Sequence, residues 1–282
     1  MPVGLPTLYT EFMNRNHLNL EPFSCSAIHG GYTLQTPEVP ERGSLALHIC
    51  DNPEDVLNAR VLLAQDTLPL DHWVLAWQKH TGRVVRVSAQ DRGRGALEAE
   101  SSILETDGLY TTDPDVLIGV FTADCLGILL YDPAVPFVAA VHSGWRGTAQ
   151  AILIHLLEAL KKDGLLHPAT LQVRFSPSLM KDSFEVQEDV VEAFEKMAKE
   201  YDLDLSDVIF PQENGRFLID HQALQIHMLQ KYGIPAENIH LSSTDTKTSP
   251  ECFSYRRDGR NCGEHFSWIY IDSSKEKPST AK

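Results

Sequence analysis

No stretch of this chain approaches the roughly 18 consecutive apolar residues that a membrane-spanning helix needs. Its opening "MPVGLPTLYTEFMNRNHLNL" lacks a basic segment followed by an apolar one, so neither a span nor a secretory signal is expected. Cysteine is scarce and irregular. Cys25, Cys50, Cys125, Cys252 and Cys262 form no CxxC pair and no zinc-ribbon spacing, which argues against a disulfide framework and for reduced thiols in the cytoplasm. Positive charge is short as well: 24 Lys and Arg stand against 39 Asp and Glu, a formal net charge of -15, which disfavours nucleic acid or an anionic membrane as partner. Repeats, linkers and low-complexity tracts are missing too. The 282 residues are therefore read as one domain, with a weakly patterned segment at 1–20 and a disordered tail at 273–282.

What is present is a mixture of short β-rich runs and amphipathic helices. "FSCSAI" reads as a strand ending at His29-Gly30-Gly31, and "SLALHI" as another. Asn52 caps a helix over "NPEDVLNARVLLAQ", with Pro53 at its first position. "HWVLAW" and "RVVRVS" are strands, followed by a polar, glycine-bearing loop. "VLIGVFT", "LGILLYD" and "PFVAAVH" are apolar on both faces, as strands covered on both sides must be. A helix is predicted over 147–162, then a strand at "LQVRFS", a helix at "QEDVVEAFEKMAKEY", "RFLID", a helix at "HQALQIHMLQKY", and strands at "NIHLSS", "CFSYRR" and "FSWIYI". The pattern gives an α/β or α+β domain with more than one sheet layer.

His80, Cys125 and His142 each stand where a predicted strand meets a turn. Two imidazoles and a thiolate suit zinc, and three protein ligands leave a fourth position open. Taken singly, each also has an ordinary reading: the cysteine as a small buried hydrophobe, each histidine as a hydrogen-bonded turn residue. In "HSGWRGT", Arg146 lies between glycines just before a helix, a setting for phosphate or carboxylate. Arg256 and Arg257 in "SYRRDGRNCG" offer a second basic cluster, or a solvated hairpin. Asp107 in "ETDGLYT" and Asp124 beside Cys125 are carboxylates near the same edges, although Asp-Gly is also ordinary turn chemistry.

"QKHTG", "TDGLYT", "TADCLGILLYD", "AAVHSGWRGT" and "FSYRRDG", in that order, closely resemble the bacterial proteins known as laccase-domain or polyphenol oxidases and, under another name, as purine nucleoside phosphorylases. The resemblance runs from "HGG" at 29–31 to "WIYI" at 268–271. It implies a four-layer α/β/β/α sandwich with mixed sheets, shared with the toxin-type cysteine hydrolases. It implies zinc on His80, Cys125 and His142, phosphorolysis of adenosine, inosine, guanosine and methylthioadenosine, and deamination of adenosine. The chain departs from the family pattern at Ala46, Ser183, Asp245 and Glu264, and Gln78-Lys79-His80-Thr81-Gly82 carries one extra residue before its glycine.

Under that resemblance Asp107 or Asp124 would move the proton, and His29, Gln78, Arg146, Arg256 and Arg257 would hold substrate or phosphate. Small-molecule nucleosides and phosphate are then the partners, and the chain acts as a monomer or homodimer. Two other readings stand beside it. A laccase-like site would hold copper on the same ligands, although the His-x-His pairs common in a trinuclear cluster are missing from the sequence. A cysteine hydrolase, including one that edits peptidoglycan precursors, would use Cys125 as nucleophile and His142 as base. A non-enzymatic binding module fits least, because three ligand types and an anion-suited loop exceed what binding requires.

Overall fold

The computed structural model describes residues 18 and 20–275; most of the expected N-terminal segment and residues 276–282 of the expected tail lie outside the described residues. Ser273–Lys275, also assigned to that tail, form a single 3-10 turn. The strands are β1 (Leu20–Cys25), β2 (Ile28–Thr33), β3 (Trp73–Leu75), β4 (Val84–Arg86), β5 (Gly108–Thr111), β6 (Leu117–Thr122), β7 (Leu126–Asp132), β8 (Phe137–Ser143), β9 (Gln172–Phe175), β10 (Glu185–Val186), β11 (Ile209–Pro211), β12 (Phe217–Ile219), β13 (Ile239–His240) and β14 (His265–Ile271). The α-helices are α1 (Pro53–Asp66), α2 (Trp145–Ala149), α3 (Ile152–Lys162), α4 (Glu188–Tyr201), α5 (His221–Lys231) and α6 (Tyr255–Asp258).

Two mixed sheets carry the fold: a five-stranded one ordered β1-β2-β14-β6-β3 and a six-stranded one ordered β13-β9-β7-β8-β5-β4, with β10-β12-β11 as a small third. Their strands alternate between cores, as a period of two dictates. Along β6, Ile118 and Val120 enter the layer between the two large sheets, while Leu117 and Phe121 face the opposite side. Along β8, Val138 and Ala140 join that same middle layer, and Phe137, Ala139 and Val141 point away from it. Leu156, Leu160, Phe194 and Met228 of α3, α4 and α5 cover the outer face of the six-stranded sheet. Ala59 and Leu63 of α1 pack with Trp73, Phe266 and Trp268 on the outer face of the other. The result is helix, sheet, sheet, helix: both large sheets are covered on both faces, which is why β6, β7 and β8 are buried at every position.

Several local expectations are corrected. "SLALHI" forms no strand, and His29-Gly30-Gly31 lie inside β2 rather than ending a strand. The helix expected over 147–162 starts earlier and breaks in two at Ala151, whose φ of 56° is left-handed. "CFSYRR" ends in the short helix α6, capped by the Ser254 hydroxyl accepting from Arg257 N; Ser254 competes for the backbone and favours a helix start over a strand. Asp107-Gly108 is no free turn: it opens β5.

Candidate metal centre

The centre is assembled where β3, β5, β6 and β8 reach a common end. Beyond β3, Gln78 holds the chain against β6: its side chain accepts from Phe121 N at 2.7 Å and donates to Phe121 O at 2.8 Å. The amide thus stands in for a ladder pair, and the chain then turns sharply at His80, whose φ is 58°. Asp107, fully buried at the start of β5, supports that turn by accepting from the backbone N–H of Lys79 (3.1 Å), His80 (3.0 Å) and Thr81 (2.8 Å), and from the Thr81 hydroxyl. The same carboxylate accepts from Nδ1 of His142 at 2.8 Å. Cys125 sits on the tight connection between β6 and β7, after Asp124 with a φ of 87°.

His80, Cys125 and His142 converge: one ligand atom from each lies within 4.8 Å of the others, and Cys125 Sγ is 4.0 Å from His80 Nε2. A tetrahedral zinc with standard bond lengths would draw a sulfur and a nitrogen to about 3.5 Å, a small closure from this arrangement. Asp107 fixes the proton of His142 on Nδ1 and leaves Nε2 for a metal, the usual support behind a ligating histidine. Gly144 closes the cradle. A Cβ there would lie 2.8 Å from Cys125 Sγ and 3.0 Å from His80 Cδ2, so only glycine lets the three ligands meet. The donor set and this cradle fit zinc or copper.

The electrostatics agree with a ligand role. Burial opposes charge on Cys125, yet His142 and His80 draw its thiol down to about 7. Burial likewise opposes charge on His142, but Cys125 and Asp107 hold it well above an ordinary histidine. Burial would raise Asp107, but its bonds to His142 and Thr81 overcome that and keep it near 2. A carboxylate with so many donors around it holds the site in shape.

The other residues singled out from sequence are spread more widely. Asp124 accepts from the hydroxyls of Thr246 (2.6 Å) and Ser254 (2.7 Å) and from Arg256 N (2.5 Å), binding the segment 246–256 to the Cys125 turn. Arg257 is spent on the carbonyls of Thr246, Ser249 and Cys252 and on Asp258. Arg256 reaches the carbonyl of Glu185 at 3.1 Å. Arg146 is exposed and stacks over Trp145, its Cζ 4.2 Å from the ring centroid. His29 pairs with Tyr270 on β14, whereas His265 pairs with Thr122. Five residues along a strand span about 17 Å, so His29 stands at the far end of the sheet from the centre, beside Asp272. Gln150 was not anticipated: its Nε2 donates to His80 O and its Oε1 accepts from Gly82 N, tying the His80 turn to the helical layer. Nothing in a lone glutamine after "RGTA" signals this. Two departures from the family pattern prove to be one contact, since Ser183 Oγ donates to Asp245 Oδ2 at 2.6 Å. Glu264 meets His48 at 3.0 Å, and Ala46 is fully buried.

Residues 29–272 match the family described as multi-copper polyphenol oxidoreductase laccase. The chain belongs to this family. Among similar proteins, adenosine deaminase RL5 from an unknown prokaryotic organism is 34% identical, with 79% of this chain and 86% of that protein covered. Purine nucleoside phosphorylase YlmD of Bacillus subtilis is 28% identical, with 92% of each chain covered. The crystal structure of YlmD from Geobacillus stearothermophilus superposes with a TM-score of 0.80 at 26% identity, covering 88% of this chain and 93% of that one. The two share a mixed α/β architecture. Among the described residues no helix is long and apolar enough to cross a membrane.

Proposed function

We propose that the protein is a zinc-dependent purine nucleoside phosphorylase, acting on adenosine, inosine, guanosine and methylthioadenosine, that also deaminates adenosine. The observation that carries this reading is the convergence of His80, Cys125 and His142 under Gly144, with Asp107 behind His142. The names of the relatives give the substrate class. His80, Cys125 and His142 would hold the zinc, which when bound supplies a Lewis acid and an activated water. The chain's own residues do the rest. Asp107 keeps the proton on His142 Nδ1 and pins the His80 turn. Asp124 holds the 246–256 segment beside the centre, and Arg146 presents an exposed cation on the adjoining helix.

The test is metal content of the protein as isolated, paired with release of free base from adenosine and inosine with and without phosphate. One zinc per chain and phosphate-dependent release are expected; zinc-loaded protein that releases no base with phosphate would overturn the reading. A second reading rests on the Asp107–His142–Cys125 sequence of contacts, which also has the order of an acid–histidine–thiol triad. Covalent capture of an acyl group on Cys125 in metal-stripped protein would favour that hydrolase over the phosphorylase. A copper oxidase is separated from both by phenol oxidation in protein loaded with copper alone.

A further inference from the structure

Arg60, on α1, is 2% exposed, yet no carboxylate pairs with it among the described residues. Its Nε donates to Leu45 O at 2.8 Å, and its Nη1 to Gly95 O and Ala96 O, both at 2.7 Å. Those three bonds use three of the five N–H groups of a guanidinium. The two on Nη2 have no protein acceptor among the described residues. Cys50 acts on Arg60 electrostatically, but burial and Glu41 push its thiol up, so it brings no negative charge near neutrality. A buried cation without a counter-ion is costly, and burial, only partly opposed by Cys50, pulls Arg60 down to about 9.

Arg60 also lines a cavity, with His48, Trp77, Gln78, Ser102 and Phe121 among its walls. The cavity is next to the metal centre in the chain: Gln78 precedes His80 by two residues, and Phe121 precedes Cys125 by four. At its side, His48 lies edge-on to Phe121 and is matched by Glu264 at 3.0 Å. Arg60 is the guanidinium on the cavity wall. Phe121 stacks under the guanidinium, with Cζ 5.6 Å from its centroid, which orients the fork without neutralising it.

We infer that this cavity is an oxyanion site in which the free edge of Arg60 receives inorganic phosphate. The binding claim stands on the cavity and Arg60; its use as the co-substrate site rests on the proposed phosphorylase reading. The site differs from the Arg146 and Arg256–Arg257 positions suggested by sequence, which are exposed in this structure. It requires no change in the metal ligands.

The test compares the wild type with Arg60→Met, Arg60→Lys and Ala99→Leu, the last placing a larger side chain at the cavity wall. Binding of inorganic phosphate is followed by calorimetry and by the shift in Tm against chloride at matched ionic strength. Phosphate binding is expected in the wild type and lost in Ala99→Leu and Arg60→Met, with Arg60→Lys intermediate because a point charge lacks the fork. In turnover, the KM for phosphate rises about tenfold or more while that for nucleoside stays within about twofold. If Arg60→Met fails to fold, Ala99→Leu carries the test. Unchanged phosphate binding or phosphate KM in folded Ala99→Leu overturns the site, even where phosphorolysis is real. Phosphate binding that Ala99→Leu abolishes, in a wild type that cleaves no nucleoside, leaves the site standing and removes the phosphorylase reading.

Discussion

Gly144 and Asp107 decide, between them, whether three side chains from distant parts of the sequence act as one site. Gly144→Ala would drive a methyl against Cys125 Sγ and His80. Zinc affinity, measured by chelator competition, is expected to fall at least about tenfold, while circular dichroism stays that of the wild type. Asp107→Asn keeps the shape of the carboxylate but replaces an acceptor oxygen with a donor facing backbone N–H groups. Metal affinity should drop by about ten- to a hundredfold, and the His80 turn should loosen. The contrast with the sequence is instructive at this scale. His80, Cys125 and His142 were legible as candidates from the motifs in which they stand, and the structure brings the three together. The part played by Asp107 was not, because five donors from residues 79–81 and 142 surround it only once β5 and β8 are paired.

Among elements, the connection between β6 and β7 has the most to lose. Asp124 adopts a left-handed φ of 87° there and satisfies the fully buried hydroxyl of Ser254 and that of Thr246. Asp124→Ala removes the acceptor to which both buried hydroxyls donate, at a cost of about 1–3 kcal/mol each. Hydrogen exchange across 244–258 should rise well before the central strands open, and chemical denaturation should report the lost stability. Faster exchange spread evenly over the sheets would contradict this assignment. The long apolar strands and α1 were readable because their periodicity and caps are local. The split of the expected 147–162 helix at Ala151, the helix α6 and the irregular course of "SLALHI" depend on tertiary contacts, so no window of sequence displays them.

For the whole molecule, two buried histidines set the response to acid. Burial lowers His265 to about 4 despite its bonds with Thr33 and Phe253, and burial, with the charge of His142, does the same to His221. Both therefore stay neutral in the folded chain where histidines of the unfolded chain, near 6.5, already bind protons. Between those values the unfolded state holds more protons, so stability is full above about pH 6.5 and declines as pH falls towards 4. Each group contributes up to about 3 kcal/mol to that decline. Urea unfolding across this window should show it, and a flat profile from pH 7 to 4 would refute it. Asp107 adds a later loss, below the ordinary carboxylate value and towards 2.

The strand order of the five-stranded sheet has a consequence for synthesis. β14, the last strand described, is inserted between β2 and β6, which come from the first half of the chain. Until residue 271 has left the ribosome, β2 and β6 have no partner between them, and Phe121 and Trp73 lack Phe266, against which both stack. The early part of the chain must wait with open strand edges, a period when aggregation competes with folding. Release of a chain ending at residue 262 should therefore give insoluble protein, although it retains His80, Cys125, Asp107 and His142; a soluble, zinc-binding fragment of that length would show that the sheet can close without its central strand.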